Sequence, residues 1–513
     1  MLTFILGFSG AVVVYCFYRH FRSLKFVNGI PGLRPLVTPL SPFGAILPNN
    51  PLNPGNKWSW TSRRTAYFNY THDIISIVPI LPSDPCYYTC SFDVMKQIFG
   101  NDSRLHTVKP YDLTLARLFG DSLPSSSGDI WRRHRRVVAP AFTSQIYDSA
   151  WQVAKDGYGQ MVKGEGWGDE KEVLLKHVHP LMLRLTLMVI SKAGFGFPAS
   201  WVSNGDKDHQ FPEALRIVSE TLIPRMVLPS SAYKLPVKSL QNMERSWSTV
   251  SSYIAAAMKT TKTRQAEDAD PDASSVDMLN RLVASALSID KFSLSDKEVV
   301  ANMFSLLFAG HETTASGLMA TLGYLSIYKN EQQKAFEEID KVYTASSPDA
   351  PIDFAELPHT LHCFLEAQRL CPSALMLPRE MTEDVPVTVT HPQPTTVVLK
   401  KGSVVIVDLV GMMRNPHAYD DPEVFRPSRW ENVSEHDLGM FGYGPRACIG
   451  RKFAQTEALA ILSSFIHEWT LEPVLGDGET LRQYEDRVLG DASLVGTAFA
   501  YTAVPLKLSK RQM

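Results

Sequence analysis

The sequence predicts a mainly α protein with minor β-sheets, one large domain lying behind an N-terminal membrane helix. Three observations predict it. Helical periodicity dominates, most clearly over 145–200, 210–260, 296–328 and 453–470. Strand-like runs are short, at 74–81, 385–389, 395–399 and 404–410, and do not alternate regularly with helices. That disfavours a barrel or doubly wound sheet of alternating strands and helices. From Trp58 onward there is no internal repeat and only one break in composition, the polar run 262–275, which reads as a surface loop.

Composition narrows the class. The 513 residues include 51 Lys+Arg and 53 Asp+Glu, a formal net charge of −2. With 44% hydrophobic and 20% charged residues, the chain is not disordered, collagen-like or a polytopic membrane protein. Near-neutral charge argues against a global nucleic-acid footprint, so no nucleic-acid partner is expected. Six cysteines are too few for a disulfide scaffold at this size, and a reducing compartment is expected.

In chain order, residues 1–18 come first. Leu2 to Tyr18 holds no formal charge, and Arg19, His20, Arg22 and Lys25 follow at once. This length sits at the short end of what spans a bilayer. Positive charge after the run, without a small-residue cleavage site, favours a single-pass anchor over a signal peptide. The positive-inside rule then places the rest of the chain in the cytosol. Residues 19–57 are basic and then proline-rich, with seven prolines between Ile30 and Pro54, and read as a hinge. Residues 58–513 are expected to form the single large folded domain.

Ser295-Asp-Lys-Glu298 is a capping box, and the helix it opens can run to about Lys329. Between Val299 and Tyr328 its only formally charged residue is Glu312, so the helix is buried. Its centre reads Ala309-Gly-His-Glu-Thr-Thr314. Gly310 lets something approach the backbone, and Thr313 or Thr314 can back-bond to a carbonyl one turn earlier. A carboxylate beside a hydroxyl suits a ligand pocket with a proton path; a buried Glu paired to a distant Arg is the plainer reading. A zinc-protease reading of His311-Glu312 fails, because the second histidine of H-E-x-x-H falls on Ala315.

Phe441-Gly-Tyr-Gly-Pro-Arg446-Ala-Cys448-Ile-Gly450 precedes the helical stretch that begins near Lys452. Its glycines let a loop pass close to a flat, bulky ligand. A cysteine is ordinarily a packing residue. Here a metal would deprotonate it, backbone N–H groups could stabilise the sulfur, and Arg446 could meet an anionic group.

This segment resembles the haem-binding loop of the cytochrome P-450 superfamily, F-x-x-G-x-R-x-C-x-G, at every fixed position. Other segments are similar to the family in order. Trp131-Arg-Arg-His-Arg135 resembles W-x-x-x-R, with both ends on one helix face. Ala309 to Thr314 resembles the A-G-x-E-T-T oxygen-activation motif. Glu366-Ala-Gln-Arg369 resembles E-x-x-R, and Pro427-Ser-Arg429 its P-E-R partner, with Ser428 in place of Glu. Leu377-Pro378-Arg379 resembles the strand entry whose arginine holds a haem propionate. The resemblance covers essentially the whole chain, and in style the fungal microsomal members.

The resemblance implies haem b (iron protoporphyrin IX) with Cys448 as axial thiolate and metal ligand. It further implies cofactor contacts at Trp131, Arg135, Arg379, Phe441 and Arg446. Glu312 and Thr313 are the implied catalytic pair, Glu312 relaying protons through water and Thr313 holding the reacting oxygen. No dinucleotide or P-loop fingerprint is present, so electrons come from NADPH through a membrane-bound reductase. Arg132, Arg133, Arg136, Arg451 and Lys452 are its expected docking patch. The implied activity is a monooxygenase of the endoplasmic-reticulum membrane. It would insert one oxygen atom of O2 into an apolar substrate: a terpenoid, sterol, fatty acyl or aromatic compound, as in secondary metabolism or xenobiotic oxidation. The pocket is expected from the loop before Trp131, the 205–240 region, the long helix, 373–377 and 493–497. Two alternatives stand beside this reading. A haem-thiolate isomerase or dehydratase would need no reductase, and a haem sensor or carrier would need no acid–alcohol pair.

Overall fold

The computed structural model describes residues 2–512 except 40, 42, 43, 45, 46, 56, 71, 101–106, 111–117, 119, 202–205, 268–276, 289, 290, 346–353 and 497. The chain gathers into two compact units. The first comprises residues 1–113, 374–424 and 434–447, and the second 114–373, 425–433 and 448–513.

The first unit opens with the helix Leu2–Phe26, whose Val12, Val13, Val14, Tyr15, Phe17, Tyr18 and Phe21 are exposed. Among the described residues no helix is long and apolar enough to cross a membrane. The unit is built on a six-stranded mixed sheet in the order Gly32–Leu33, Ile74–Ile77, Cys86–Thr89, Val404–Asp408, Met376–Met381, Thr107–Val108. Ile74–Ile77 and Cys86–Thr89 are buried at every position, because the sheet is covered on both faces. The start of the proline-rich stretch joins this sheet: Gly32–Leu33 pairs in parallel with Ser76 and Ile77. Val27 and Ile30, just before it, pack with Val405, Val407 and Leu409. The hairpin Val385–Val389/Thr395–Leu399 forms where the sequence predicts both strands.

The second unit is helical. Its long helix, Asp296–Ile327, starts at the expected capping box, with Ser295 N–H donating to Glu298 Oε2 at 2.8 Å. It packs against His179–Val189 on one side and Pro358–Leu370 on another. From Ala301 to Ser326 every residue is buried except Ala309, Gly310 and Thr313. The stretch around Gly310 is a close approach, but of protein to protein. A Cβ at Gly310 would stand 2.9 Å from Ile190 Cγ1. Ile190 opens a single π-helical turn, Ile190–Gly194, that follows His179–Val189. The helix Lys238–Glu267 takes the first part of the expected polar loop, and residues 268–275 of that loop lie outside the described residues. Two small sheets close the unit, Glu172–Leu175 with Leu506–Lys510 and Trp469–Pro473, and the pair Ala492–Val495/Ala498–Tyr501.

Candidate functional site

Cys448 stands two residues ahead of the N-cap of the helix Arg451–Glu468. Its side chain has accessible surface, yet desolvation is the largest influence on its thiol. Burial pushes the thiol up, while the Gly450 backbone N–H, Arg451 and Arg135 pull it down. These three groups are what a thiolate needs in order to persist in a dry setting.

Arg135 lies on the helix Gly128–Val138, one turn beyond Trp131, which is buried. Its guanidinium is depressed by burial and supported by the Cys448 charge, so the two belong to one electrostatic neighbourhood. On the long helix, Ala309 and Thr313 are one turn apart on the single stretch left open. Thr313 Oγ1 donates to the Ala309 carbonyl at 2.8 Å, and Thr314 Oγ1 to the Gly310 carbonyl at 3.2 Å. Both back-bonds that the sequence offers as alternatives are made. The Thr313 carbonyl in turn accepts from Ser373 Oγ at 2.9 Å. Glu312 is buried, and its carboxyl lies on Gly496, where a Cβ would come within 2.2 Å of Oε1. Gly496 also has φ +62, a backbone conformation that favours glycine.

In the first unit, Arg379, Arg446 and Lys109 cluster. Arg379 is buried, and desolvation together with the Arg446 charge pushes its guanidinium down to about 9. Lys109 is held well below its usual value by burial, Arg379 and Arg446. Among the described residues no carboxylate pairs with Arg379. Two desolvated cations, Arg379 and Lys109, thus lie within the influence of the half-buried Arg446, an arrangement that suits an anionic ligand. Phe441 ends a short 3-10 turn, Gly439–Phe441, in the same unit. Lys109 carries no motif, and only the three-dimensional cluster reveals it. Ser373 and Gly496 fall within the expected pocket segments 373–377 and 493–497, but the Ser373 bond to the Thr313 carbonyl and the Gly496 contact with Glu312 come from the structure.

Glu366 is fully buried and saturated. It accepts from Arg369 Nε and Nη2 at 2.9 Å each, Arg429 Nε at 3.1 Å, Arg426 N–H at 2.9 Å and Trp430 Nε1 at 3.1 Å. Ser428 therefore does not prevent Arg429 from closing the trio. Removing Glu366 would strand buried guanidinium groups, at a cost of about 3–5 kcal/mol.

A groove of about 670 Å³ runs along the basic helix, lined by Ile130, Arg132, Arg133, Arg136, Lys291 and Phe292 among others. Its cations are not equally available. Arg133 pairs with Glu298, Arg132 with Asp129, and Arg136 stacks on Phe292 at 3.9 Å. Lys452 lies over the Tyr147 ring at 5.2 Å.

Within the first unit the cation cluster suits an anionic group, and within the second the accessible thiol and the open stretch of an otherwise buried helix suit a ligand with a metal centre. Comparisons with known proteins point the same way. The family model for cytochrome P-450 matches residues 82–489. Cytochrome P-450 monooxygenase 124 of Postia placenta is 28% identical over 454 residues, covering 85% of this chain and 86% of the relative. Human cytochrome P-450 4F2 is 26% identical over 401 residues, 74% of this chain and 75% of the relative. Mouse leukotriene-B4 omega-hydroxylase 3 is 26% identical over 431 residues, 79% and 78% respectively. The family consists of oxygen-incorporating oxidoreductases that bind haem through an axial cysteine thiolate. With its match spanning most of the sequence, this chain belongs to the cytochrome P-450 family.

Proposed function

We propose that this monooxygenase inserts one atom of O2 into an apolar organic substrate, using electrons from NADPH delivered by a cytochrome P-450 reductase. The observation that carries the reading is the Cys448 thiol, desolvated yet accessible, with Arg135, Arg451 and the Gly450 N–H arranged around the sulfur. Cys448 is the proposed axial ligand. Arg379, Arg446 and Lys109 are proposed to hold a propionate group, and Trp131, Arg135 and Phe441 are further proposed cofactor contacts. Bound there, haem supplies the reductive activation of dioxygen and the oxygen transfer.

The chain's own residues supply the rest. Thr313, its proton committed to the Ala309 carbonyl, presents an oxygen lone pair that can hold a water or the reacting oxygen. Glu312 moves protons to that point, and Gly496 keeps its carboxyl in place. The Gly450 N–H stabilises negative charge on sulfur. Chain organisation follows the sequence: residues 1–18 as a single-pass anchor in the endoplasmic-reticulum membrane, 19–57 as the connecting segment, and 58–513 as the cytosolic catalytic domain. The uncharged run before Arg19 supports this. Arg132, Arg136, Arg451, Lys452 and Lys291 form the proposed reductase face; Arg133 is tied to Glu298 and contributes less.

The test is turnover of the full chain with reductase, NADPH and heavy-isotope dioxygen. Leukotriene B4, a long-chain fatty acid, a sterol and a sesquiterpene serve as probes. One labelled oxygen per product, with NADPH consumed, is expected for at least one apolar probe. Conversion without label and without NADPH would instead establish the isomerase or dehydratase reading.

A further inference from the structure

Gln368 occupies a free position of the Glu366-to-Arg369 stretch, near the end of the helix Pro358–Leu370. It is buried. Its amide reaches the long helix through space that a side chain at Gly317 would fill. A Cβ there would stand 2.9 Å from Gln368 Cδ and closer still to Nε2. Glycine inside a helix costs about 1 kcal/mol relative to alanine, and here it gives the amide room.

On that side the amide meets Ser373 and Thr313. Gln368 Oε1 accepts from the Ser373 N–H at 3.3 Å and lies 2.9 Å from Ser373 Oγ, while Nε2 faces the Thr313 carbonyl at 3.5 Å. The Ser373 N–H decides which way the amide points, because of its two ends only the oxygen can accept. Ser373 is buried and is held from a third direction as well. Its carbonyl accepts from the Phe499 N–H at 2.8 Å, and the Phe499 carbonyl accepts from Ser316 Oγ at 2.5 Å, back on the long helix. Thus anchored, Ser373 brings its hydroxyl to 2.9 Å from the Thr313 carbonyl. In a regular helix that carbonyl accepts from the N–H four residues on. Ser373 adds a donor from outside the helix and so sets the tilt of that peptide.

We infer that Gln368 is a positioning residue: its amide oxygen aims Ser373, and Ser373 pins the Thr313 carbonyl. The pinned peptide belongs to the residue whose hydroxyl bonds Ala309, so the same contact orients Thr313 Oγ1. The consequence for turnover rests on the role proposed above for Thr313; the bond between Gln368 and Ser373 does not.

The first arm is hydrogen exchange of the full-length, haem-loaded protein, resolved to the Ser373 N–H by mass spectrometry with fragmentation. Wild type is compared with Gln368→Met, which keeps the bulk and removes the amide. The Ser373 N–H is expected to exchange about fivefold faster in the variant, the scale of one neutral hydrogen bond. Exchange equal to wild type would overturn the proposal. The second arm is product formed per NADPH consumed, at equal haem content, with the apolar probe that wild type converts. Gln368→Met is expected to lose coupling about fivefold, but less than about twofold in a Ser373→Ala chain, where the residue it aims has no hydroxyl. A merely structural role would cost the same in both chains. An equal or larger loss in the Ser373→Ala chain, or unchanged coupling in the single variant, would overturn the positioning role. Because hydrogen exchange needs no turnover, a failed Gln368–Ser373 bond and a failed role for Thr313 are read separately.

Discussion

Asp408 shows how one buried carboxyl makes this fold sensitive to pH. It caps the short helix Leu409–Met413, accepting from the Gly411 N–H at 3.2 Å and from Tyr67 Oη at 3.0 Å. Those donors favour the charged form, but burial outweighs them and pushes the carboxyl from 3.8 up to about 6. An acid whose folded value is raised binds its proton more tightly when folded. Its contribution is therefore complete below about pH 4 and lost as pH rises through about 6, a difference of about 3 kcal/mol. Urea unfolding of wild type and Asp408→Asn at about pH 4 and about pH 7.5 checks this. Wild type is expected to lose about 3 kcal/mol more than the variant over that interval. An identical pH response in both would contradict the assignment. None of this is legible in the sequence, since Tyr67 lies 341 positions away and burial is a property of the assembled sheet.

At the scale of elements, the turn at Gly310 gives the sharpest expectation. In an ordinary helix interior, Gly→Ala stabilises by about 1 kcal/mol. Here the new methyl would meet Ile190 Cγ1 at 2.9 Å and Cδ1 at 3.1 Å. Gly310→Ala is expected to destabilise by about 1–3 kcal/mol, and to cost much less in an Ile190→Ala background, which removes both contacting carbons. Thermal or urea unfolding of the single and double variants reads it directly. A stabilising single variant would show that this contact yields without strain. The capping box at Ser295 and the hairpin at 385–399 were legible because their signals are local. Met376–Met381 is absent from the strand-like runs that periodicity shows, and only the family resemblance marks Leu377-Pro378-Arg379 as a strand entry. The strand forms because Val404–Asp408 pairs with it along five positions. Likewise the polar residues 262–267 look like a loop but continue the helix Lys238–Glu267, where Arg264 and Gln265 bond Asn280.

At the scale of the whole molecule, the candidate site divides by how its residues are specified. Cys448, Arg446, Glu312, Thr313, Trp131 and Arg135 sit in short stretches with fixed spacing, so they are readable before any fold is known. Lys109 belongs to no such stretch, and Ser373 and Gly496 are marked only as members of the expected pocket segments 373–377 and 493–497. Each has its neighbour far along the chain: Arg379 for Lys109, the Thr313 carbonyl for Ser373, Glu312 for Gly496. The central claim across all of them is thiolate ligation by Cys448. The carbon monoxide difference spectrum of the reduced, haem-loaded protein, beside a Cys448→Ala control, tests it most directly. A strongly red-shifted Soret band that vanishes in the control is the expected result. A band like that of a histidine-ligated haem, or one that survives the substitution, would contradict it.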